Sequence, residues 1–267
     1  MSVVDRNHVT VRGKGTTPMM FAHGFGCDQN MWRLVAPSFE EEYKIVLFDH
    51  VGAGNSDQSA YDKDKYAKLE GYADDILQIA DELQLKDIIF VGHSVSAMMG
   101  VMAAIKNPAL FKALILVSPS ASYIDDGNYK GGFSKGEIDE LLDSLDHNHM
   151  GWSAAMAPVI MGNPDRKELG EELTGSFCRT NPEIAREFAR TTFLTDCRSI
   201  LVNNTTPALV LQCSDDVIAP VEVGTYIHEH MPDSDFVLLT ATGHCPNLSA
   251  PEETTAAIKA YLKTRYM

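Results

Sequence analysis

Short, continuous apolar runs alternate with helical patterns along most of the chain, and this alternation constrains the fold more than any other feature. The apolar runs lie at 19–22, 45–48, 88–91, 114–117, 209–212 and 236–239. Runs without polar alternation are typical of strands that are buried on both faces, as in a parallel sheet. Helical patterns lie between them, for example at 72–83, 95–106 and 252–266. The alternation therefore predicts an α/β protein with an open, doubly wound sheet.

The stretch from 123 to 203 interrupts this alternation. It has no strand-like run, and its pattern predicts four helices, roughly at 134–146, 149–161, 166–178 and 182–195. Turn-forming pairs, Gly131-Gly132 and Asn203-Asn204, flank the helices. We therefore predict a helical cap over 123–203, inserted into a core formed by 1–122 and 204–267.

Length, charge and cysteine content narrow the class of protein. A chain of 267 residues suits one domain with an insertion, and a formal net charge of −15 disfavours nucleic acid and anionic membranes as partners. The five cysteines are odd in number and scattered, so no disulfide framework is expected. Neither a signal peptide nor a membrane-spanning run is recognisable. We expect a soluble, cytoplasmic protein that does not contact membranes.

A candidate nucleophile lies between an apolar run and a helical pattern, in Gly92-His93-Ser94-Val95-Ser96. This is the context of the nucleophile elbow G-x-S-x-G, a sharp turn that lifts a serine hydroxyl out of a sheet. The helix that follows offers backbone N–H groups to a developing oxyanion. Ser96 stands where the pattern has glycine and is itself an alternative nucleophile. Ser94 is favoured because it holds the turn position two residues after Gly92.

A nucleophilic serine needs a base, and the base needs an orienting carboxylate. In the nucleophile-elbow fold these follow the serine in the order Asp or Glu, then His. Asp215 and Asp216 follow the run at 209–212, and His244 follows the run at 236–239. Both positions are carboxyl ends of predicted strands, where open α/β sheets place their sites. Only one of the adjacent aspartates can serve, and the residues alone do not decide between them.

Two backbone amides are candidates for an oxyanion hole. One is the N–H of Val95, directly after the nucleophile, and the other is the N–H of Phe25 in the glycine-rich loop His23-Gly24-Phe25-Gly26. Glycines in that loop allow its backbone to approach a substrate closely.

The predicted cap carries large apolar side chains that could line a pocket or simply form its core at helical spacing. The candidates are Phe133, Trp152, Met156, Met161, Phe177 and Phe193. Of these, we expect Phe133, Trp152, Met156 and Phe193 to contact a substrate. The pairs His147/His149 and His228/His230 lack a third ligand cluster, so neither a metal nor another cofactor is predicted.

Several segments of the chain resemble the RsbQ-type hydrolases, which are bacterial stress-signalling proteins related to the plant karrikin and strigolactone receptors. The resemblance lies in 23–29, 47–57, 90–98, 131–133, 151–152 and 211–220. It implies the α/β-hydrolase fold, with a four-helix, V-shaped cap above a buried apolar pocket. It also implies Ser94, His244 and Asp216 as a catalytic triad, since Asp216 stands four residues before Pro220, and the Phe25 and Val95 amides as the oxyanion hole. The Ser-Val-Ser elbow resembles that of the plant receptors.

The expected function is that of a serine hydrolase that cleaves a small apolar ester or lactone and serves stress signalling. In the bacterial relatives, the resemblance implies a PAS-domain phosphatase as the partner. Two alternatives remain open: a ligand-sensing receptor with weak hydrolysis, and a metabolic carboxylesterase without a signalling partner. A dehalogenase is disfavoured because it would carry aspartate at position 94.

Overall fold

A computed structural model describes residues 2–266 of the chain and contains one mostly parallel sheet. Within those residues its seven strands are β1 (Thr10–Arg12), β2 (Pro18–Ala22), β3 (Lys44–Leu47), β4 (Ile88–His93), β5 (Phe111–Val117), β6 (Ala208–Asp215) and β7 (Ser234–Thr242). Their order across the sheet is β1-β3-β2-β4-β5-β6-β7, and only β1 runs antiparallel to its neighbour. The predicted α/β-hydrolase fold with a mostly parallel sheet is confirmed.

Each of the six predicted strands corresponds to one of β2 to β7, whereas β1 was not predicted. This edge strand has only three residues and no buried side chain, so it has no apolar run to reveal it.

Eleven α-helices accompany these strands in the part of the chain that the structure describes. They are α1 (Val3–Arg6), α2 (Lys63–Tyr66), α3 (Leu69–Glu82), α4 (Val95–Lys106), α5 (Lys135–His147), α6 (His149–Met161), α7 (Lys167–Arg179), α8 (Pro182–Phe193), α9 (Val221–His230), α10 (Pro246–Ser249) and α11 (Pro251–Tyr266).

Helices α5 to α8 all lie between β5 and β6 in the chain, at the places where four helices were predicted. Their starts are encoded locally. Ser134 and Glu137 form a reciprocal capping box at α5. Asn148 and Asn181 accept hydrogen bonds from the first backbone amides of α6 and α8, and Pro182 suits the first position of α8.

The sheet is buried on both faces, which explains its continuous apolar runs. In β2, Met20 and Ala22 belong to the hydrophobic cluster on the face of α3 and α4, whereas Met19 and Phe21 belong to the cluster on the face of α11. A third cluster joins cap side chains to residues at the carboxyl end of the sheet, such as Cys27 and Leu248. The candidate functional site lies at this third cluster.

The β4–α4 unit is packed unusually tightly around Phe90, whose side chain is fully buried. A Cβ atom built on Gly100 would lie 2.3 Å from Cε1 of Phe90, which is closer than van der Waals contact allows. Glycine at position 100 therefore allows α4 to pack directly on the strand that precedes the elbow.

We predict that Gly100→Ala destabilises the fold by about 1–3 kcal/mol through overpacking, even though alanine has the higher helix propensity. Gly175→Ala, in the middle of α7, is the matched control. There the new methyl group would meet only the mobile end of Arg179 at 3.5 Å, so about 0.5–1 kcal/mol of stabilisation is expected. Urea unfolding of both variants checks this prediction, and a Gly100→Ala protein as stable as Gly175→Ala would contradict it.

Candidate active site

Ser94 occupies a sharp turn between β4 and α4, and its backbone has φ 57° and ψ −126°. Residues other than glycine rarely adopt a positive φ, so the surroundings must hold the Ser94 backbone in this strained conformation. The Ser94 N–H donates to the carbonyl of Val117 at the end of β5 (2.8 Å). A Cβ on Gly92 would lie 2.7 Å from the carbonyl oxygen of Ser96, so glycine is required there for the turn to close.

Two hydrogen bonds join Ser94 to His244 and His244 to Asp216. Nε2 of His244 lies 2.7 Å from Oγ of Ser94, and Nδ1 lies 2.7 Å from Oδ2 of Asp216. A carboxylate only accepts hydrogen bonds, so Nδ1 carries the proton and Nε2 is free to accept one from the serine hydroxyl. The structure thus brings all three predicted residues into one hydrogen-bonded series.

The geometry also distinguishes the two adjacent aspartates. Asp216 is buried, and its Oδ1 accepts hydrogen bonds from the amides of Ile218 (2.9 Å) and Ala219 (3.1 Å), which leaves Oδ2 for His244. The Asp215 side chain is exposed to solvent, and its backbone carbonyl accepts the Gly243 N–H (2.7 Å). Asp216 is therefore the aspartate that contacts the histidine.

The loop that carries His244 is held by the cap. The His244 N–H donates to the Ile160 carbonyl (2.9 Å), one of the last carbonyls of α6, which lack donors within the helix. The side-chain amide of Asn163 donates to the Thr242 carbonyl (2.9 Å). A Cβ on Gly243 would lie 1.8 Å from the Met161 carbonyl oxygen. The position of the histidine therefore depends on the end of a cap helix.

The two amides predicted to form an oxyanion hole flank Ser94. Val95 begins α4, and the Gly24–Phe25 loop lies against the elbow, since a Cβ on Gly24 would lie 3.2 Å from Cβ of Ser94. Among residues 2–266, neither the Val95 nor the Phe25 N–H donates a hydrogen bond to a protein acceptor. Both are therefore available to a ligand.

A cavity between the core and the cap opens onto Ser94 and His244. Its volume is about 30 Å³, so it is a narrow cavity in this structure. Its walls are mostly apolar and include Phe25, Ile160, Leu173, Phe177, Phe193 and Ile218.

Of the four side chains expected to contact a substrate, only Phe193 lines this cavity. Trp152 stacks behind the wall on Phe177, with ring centroids 5.7 Å apart, while Phe133 and Met156 pack against the same hydrophobic cluster. Helical spacing identifies which cap residues face inward, but not which of them reach the cavity.

Two further polar residues, which were not predicted, contact Ser94 or His244. The hydroxyl of Tyr123 lies 3.4 Å from Oγ of Ser94, and burial raises the pKa of Tyr123, so its phenol stays protonated. His93 donates from Nε2 to the His244 carbonyl (2.8 Å). Tyr123 follows β5 by six residues, and no local pattern in the sequence shows that the chain returns there to the serine.

A model of the "Alpha/beta hydrolase family" matches residues 19–258. The chain belongs to the α/β-hydrolase family. It is 38% identical to the karrikin insensitive 2 receptor IA of Petunia hybrida, across 95% of this chain and 93% of that protein. It is 35% identical to the strigolactone esterase D14 of Arabidopsis thaliana, across 98% of each. The predicted relationship to the plant karrikin and strigolactone receptors is confirmed.

Among solved structures, this hydrolase resembles a hydrolase from Oleispira antarctica, with a TM-score of 0.96 and 37% identity across 98% of this chain and 97% of that one. In the described part of the chain, no helix is long and apolar enough to cross a membrane. Residues 2–266 likewise contain no group of three or more side chains suited to hold a metal ion, and their five cysteines are free thiols.

Three histidines next to the elbow of this hydrolase are kept neutral by their surroundings. Burial lowers the pKa of His93 to about 3, and the nearby His244 acts in the same direction. Burial also lowers the pKa of His23 and, more strongly, that of His50.

We predict that His93 makes the protein lose stability in acid. Its pKa in the unfolded chain is near 6.5, so below that pH the unfolded state binds a proton that the native state, with a pKa of about 3, does not. This contribution is fully present above pH 6.5 and declines by about 1.4 kcal/mol per pH unit as the pH falls from there to about 3, the native pKa. Urea unfolding between pH 6 and 4 should therefore show a steeper decline for the wild type than for His93→Gln. Equal slopes would contradict the prediction.

Proposed function

We propose that this protein is a serine hydrolase that cleaves a small apolar ester or lactone. The observation that carries the proposal is the series of hydrogen bonds from Ser94 through His244 to Asp216, which opens onto a mostly apolar cavity. The hydrolase family of the chain is consistent with this reading, and the residue roles below are part of the proposal.

In the first half of the reaction, Oγ of Ser94 attacks the ester carbonyl carbon while Nε2 of His244 takes the hydroxyl proton. Asp216 holds the imidazole in the correct tautomer and stabilises the imidazolium that forms. The carbonyl oxygen becomes an oxyanion and accepts hydrogen bonds from the N–H groups of Val95 and Phe25.

The tetrahedral intermediate then collapses. The bond between the carbonyl carbon and the leaving oxygen breaks, and Nε2 of His244 gives its proton to the leaving alkoxide. An acyl group remains on Ser94. In the second half, a water molecule attacks this acyl group, His244 takes its proton, and the returning serine oxygen receives that proton as the acid product leaves.

The substrate class follows from the cavity. Aromatic and aliphatic side chains form most of its walls, so an apolar acyl or lactone ring replaces water there favourably. A net charge of −15 disfavours polyanionic ligands. The small volume of the cavity, about 30 Å³, favours short acyl chains over long ones.

A second candidate function is ligand sensing with slow hydrolysis. It is favoured by the relationship to plant proteins that are named receptors, and by the hydrogen bond between the His244 loop and the cap helix α6, through which a ligand at Ser94 could affect the cap surface.

We further propose a stress-signalling role with a PAS-domain phosphatase partner, which rests on the resemblance to the RsbQ-type hydrolases. A binding assay with such a phosphatase from the same organism tests this role.

We predict that Ser94→Ala abolishes turnover of nitrophenyl acetate and butyrate, because no other group in the proposed mechanism forms the acyl intermediate. Its melting temperature should change little, since only one hydroxyl is removed. Hydrolysis followed by nitrophenolate absorbance measures this, with nitrophenyl octanoate as the long-chain comparison. Many turnovers per wild-type molecule favour an enzyme, whereas a single turnover favours the receptor reading. Undiminished hydrolysis by Ser94→Ala would refute the nucleophile assignment.

Adjacent aspartates provide a matched pair of variants for the third role. Asp216→Asn should reduce kcat by about 10⁴-fold, because the amide favours the wrong tautomer of His244. Asp215→Asn removes the same charge from the neighbouring residue, whose side chain is exposed. The kcat of this variant should therefore stay within about twofold of wild type. Steady-state kinetics of both variants decide the point, and equal losses would mean that charge alone, rather than contact with His244, matters.

A further inference from the structure

A buried cluster of three residues beside the elbow has no part in the mechanism above. It consists of His23, which directly follows β2, His50, which follows β3, and Ser96, in the first turn of α4. All three are at most 1% exposed. Oγ of Ser96 lies 2.5 Å from the His23 carbonyl oxygen and 2.7 Å from Nε2 of His50.

The hydrogens of this cluster can be assigned from its contacts. The His50 backbone N–H donates to Nε2 of His23 (3.1 Å), so that nitrogen is unprotonated and the His23 proton lies on Nδ1, 2.9 Å from the Gly24 carbonyl. Oγ of Ser96 donates its one hydrogen to the His23 carbonyl and must therefore accept from Nε2–H of His50. Ser96 is thus both donor and acceptor within one closed network.

This network joins the two segments that carry the proposed oxyanion-hole amides. Ser96 directly follows Val95, and the His23 carbonyl belongs to the peptide that leads into Gly24, next to Phe25. On its other side, Gly24 packs against the elbow so closely that an added Cβ would lie 2.7 Å from Nδ1 of His93. The distance between the two amides is therefore set by hydrogen bonds at Ser96 and by packing at Gly24.

Glycine at position 96, as in the G-x-S-x-G pattern, would remove this connection. Nε2–H of His50 would then have only the His23 carbonyl at 3.1 Å. That carbonyl would exchange the short hydrogen bond from the hydroxyl for this longer one alone, and no side chain at position 96 would connect α4 to the His23 peptide.

We propose that Ser96 is a positioning residue, which holds the Phe25 amide at the correct distance from the Val95 amide through its hydrogen bonds to His23 and His50. The proposal rests on the function proposed above. Displacements of about 1 Å at such sites cost rate, because the donors must match the oxyanion that forms only in the transition state. Ser96 should therefore affect kcat rather than substrate binding.

The test compares Ser96→Ala and Ser96→Gly with Ser153→Ala. Ser153 is also a buried helical serine whose hydroxyl donates to a backbone carbonyl, that of His149 (2.8 Å), but it lies in α6 away from the cluster. With nitrophenyl butyrate, both Ser96 variants should lose about 10–100-fold in kcat with KM within about twofold, and Ser153→Ala should match the wild type.

The inhibition constant of a trifluoromethyl ketone is a second measurement, which distinguishes a misplaced oxyanion hole from a general loosening of the fold. Its serine adduct carries an oxyanion, so its inhibition constant should rise in proportion to the loss of kcat/KM. His50→Phe keeps an aromatic ring in the same place without its N–H and should cause a smaller loss. The double variant Ser96→Ala with His50→Phe should be no worse than Ser96→Ala alone, because both act through one network.

Three results overturn the proposal: kcat of Ser96→Ala within about twofold of wild type, an inhibition constant that stays fixed while kcat falls, or multiplicative losses in the double variant. If the Ser96 variants do not fold, His50→Phe carries the same comparison of kcat with inhibitor affinity. The Ser94→Ala protein, measured in parallel, separates the two claims. If Ser94→Ala still turns over substrate, both the proposed function and the positioning role of Ser96 are overturned. If Ser94→Ala is inactive but Ser96→Ala is as active as wild type, only the positioning role is overturned.

Discussion

The backbone at Ser94 is held at φ 57° and ψ −126°, and the arrangement of the site depends on that one turn. A conformation of this kind costs on the order of 1–3 kcal/mol and persists only where the surroundings enforce it. Here the closing contacts are the hydrogen bond from Ser94 to the end of β5 and the close packing of Gly92 and Gly100. The same turn places the serine hydroxyl before His244 and the first amide of α4 beside it.

The histidine is placed from the opposite side, by the cap. Its loop contains Gly243 at φ 78° and contacts the carbonyls at the end of α6, while hydrogen bonds to Asp215, Asp216 and His93 hold it from the core side. In this structure, the cap helices that line the cavity also help to position the proposed base. This coupling is the physical reason why catalysis and ligand sensing are both reasonable readings of one site.

Much of this architecture could be predicted from the sequence, because strands buried on both faces leave continuous apolar runs, and because the stretch between β5 and β6 lacks such runs and carries side-chain N-caps at three of its four helices. The order Ser94, Asp216, His244 was also recognisable, since each follows a predicted strand. What could not be predicted depends on tertiary contacts. Edge strand β1 has no buried residue, Tyr123 reaches Ser94 only through the path of the chain, and Trp152 lies one layer behind the wall that Phe193 forms. The residues alone also left Asp215 and Asp216 equivalent until burial distinguished them.

The central claim is that Ser94 carries an activated hydroxyl, and covalent labelling tests it most directly. Diisopropyl fluorophosphate reacts with serines that a neighbouring base activates, and mass spectrometry of the intact protein and its peptides locates the adduct. The account predicts one adduct per chain, on Ser94, with activity lost in step with labelling, and no adduct on Ser96 although it lies two residues away. Labelling of a different residue, or full activity in a protein labelled at Ser94, would contradict it.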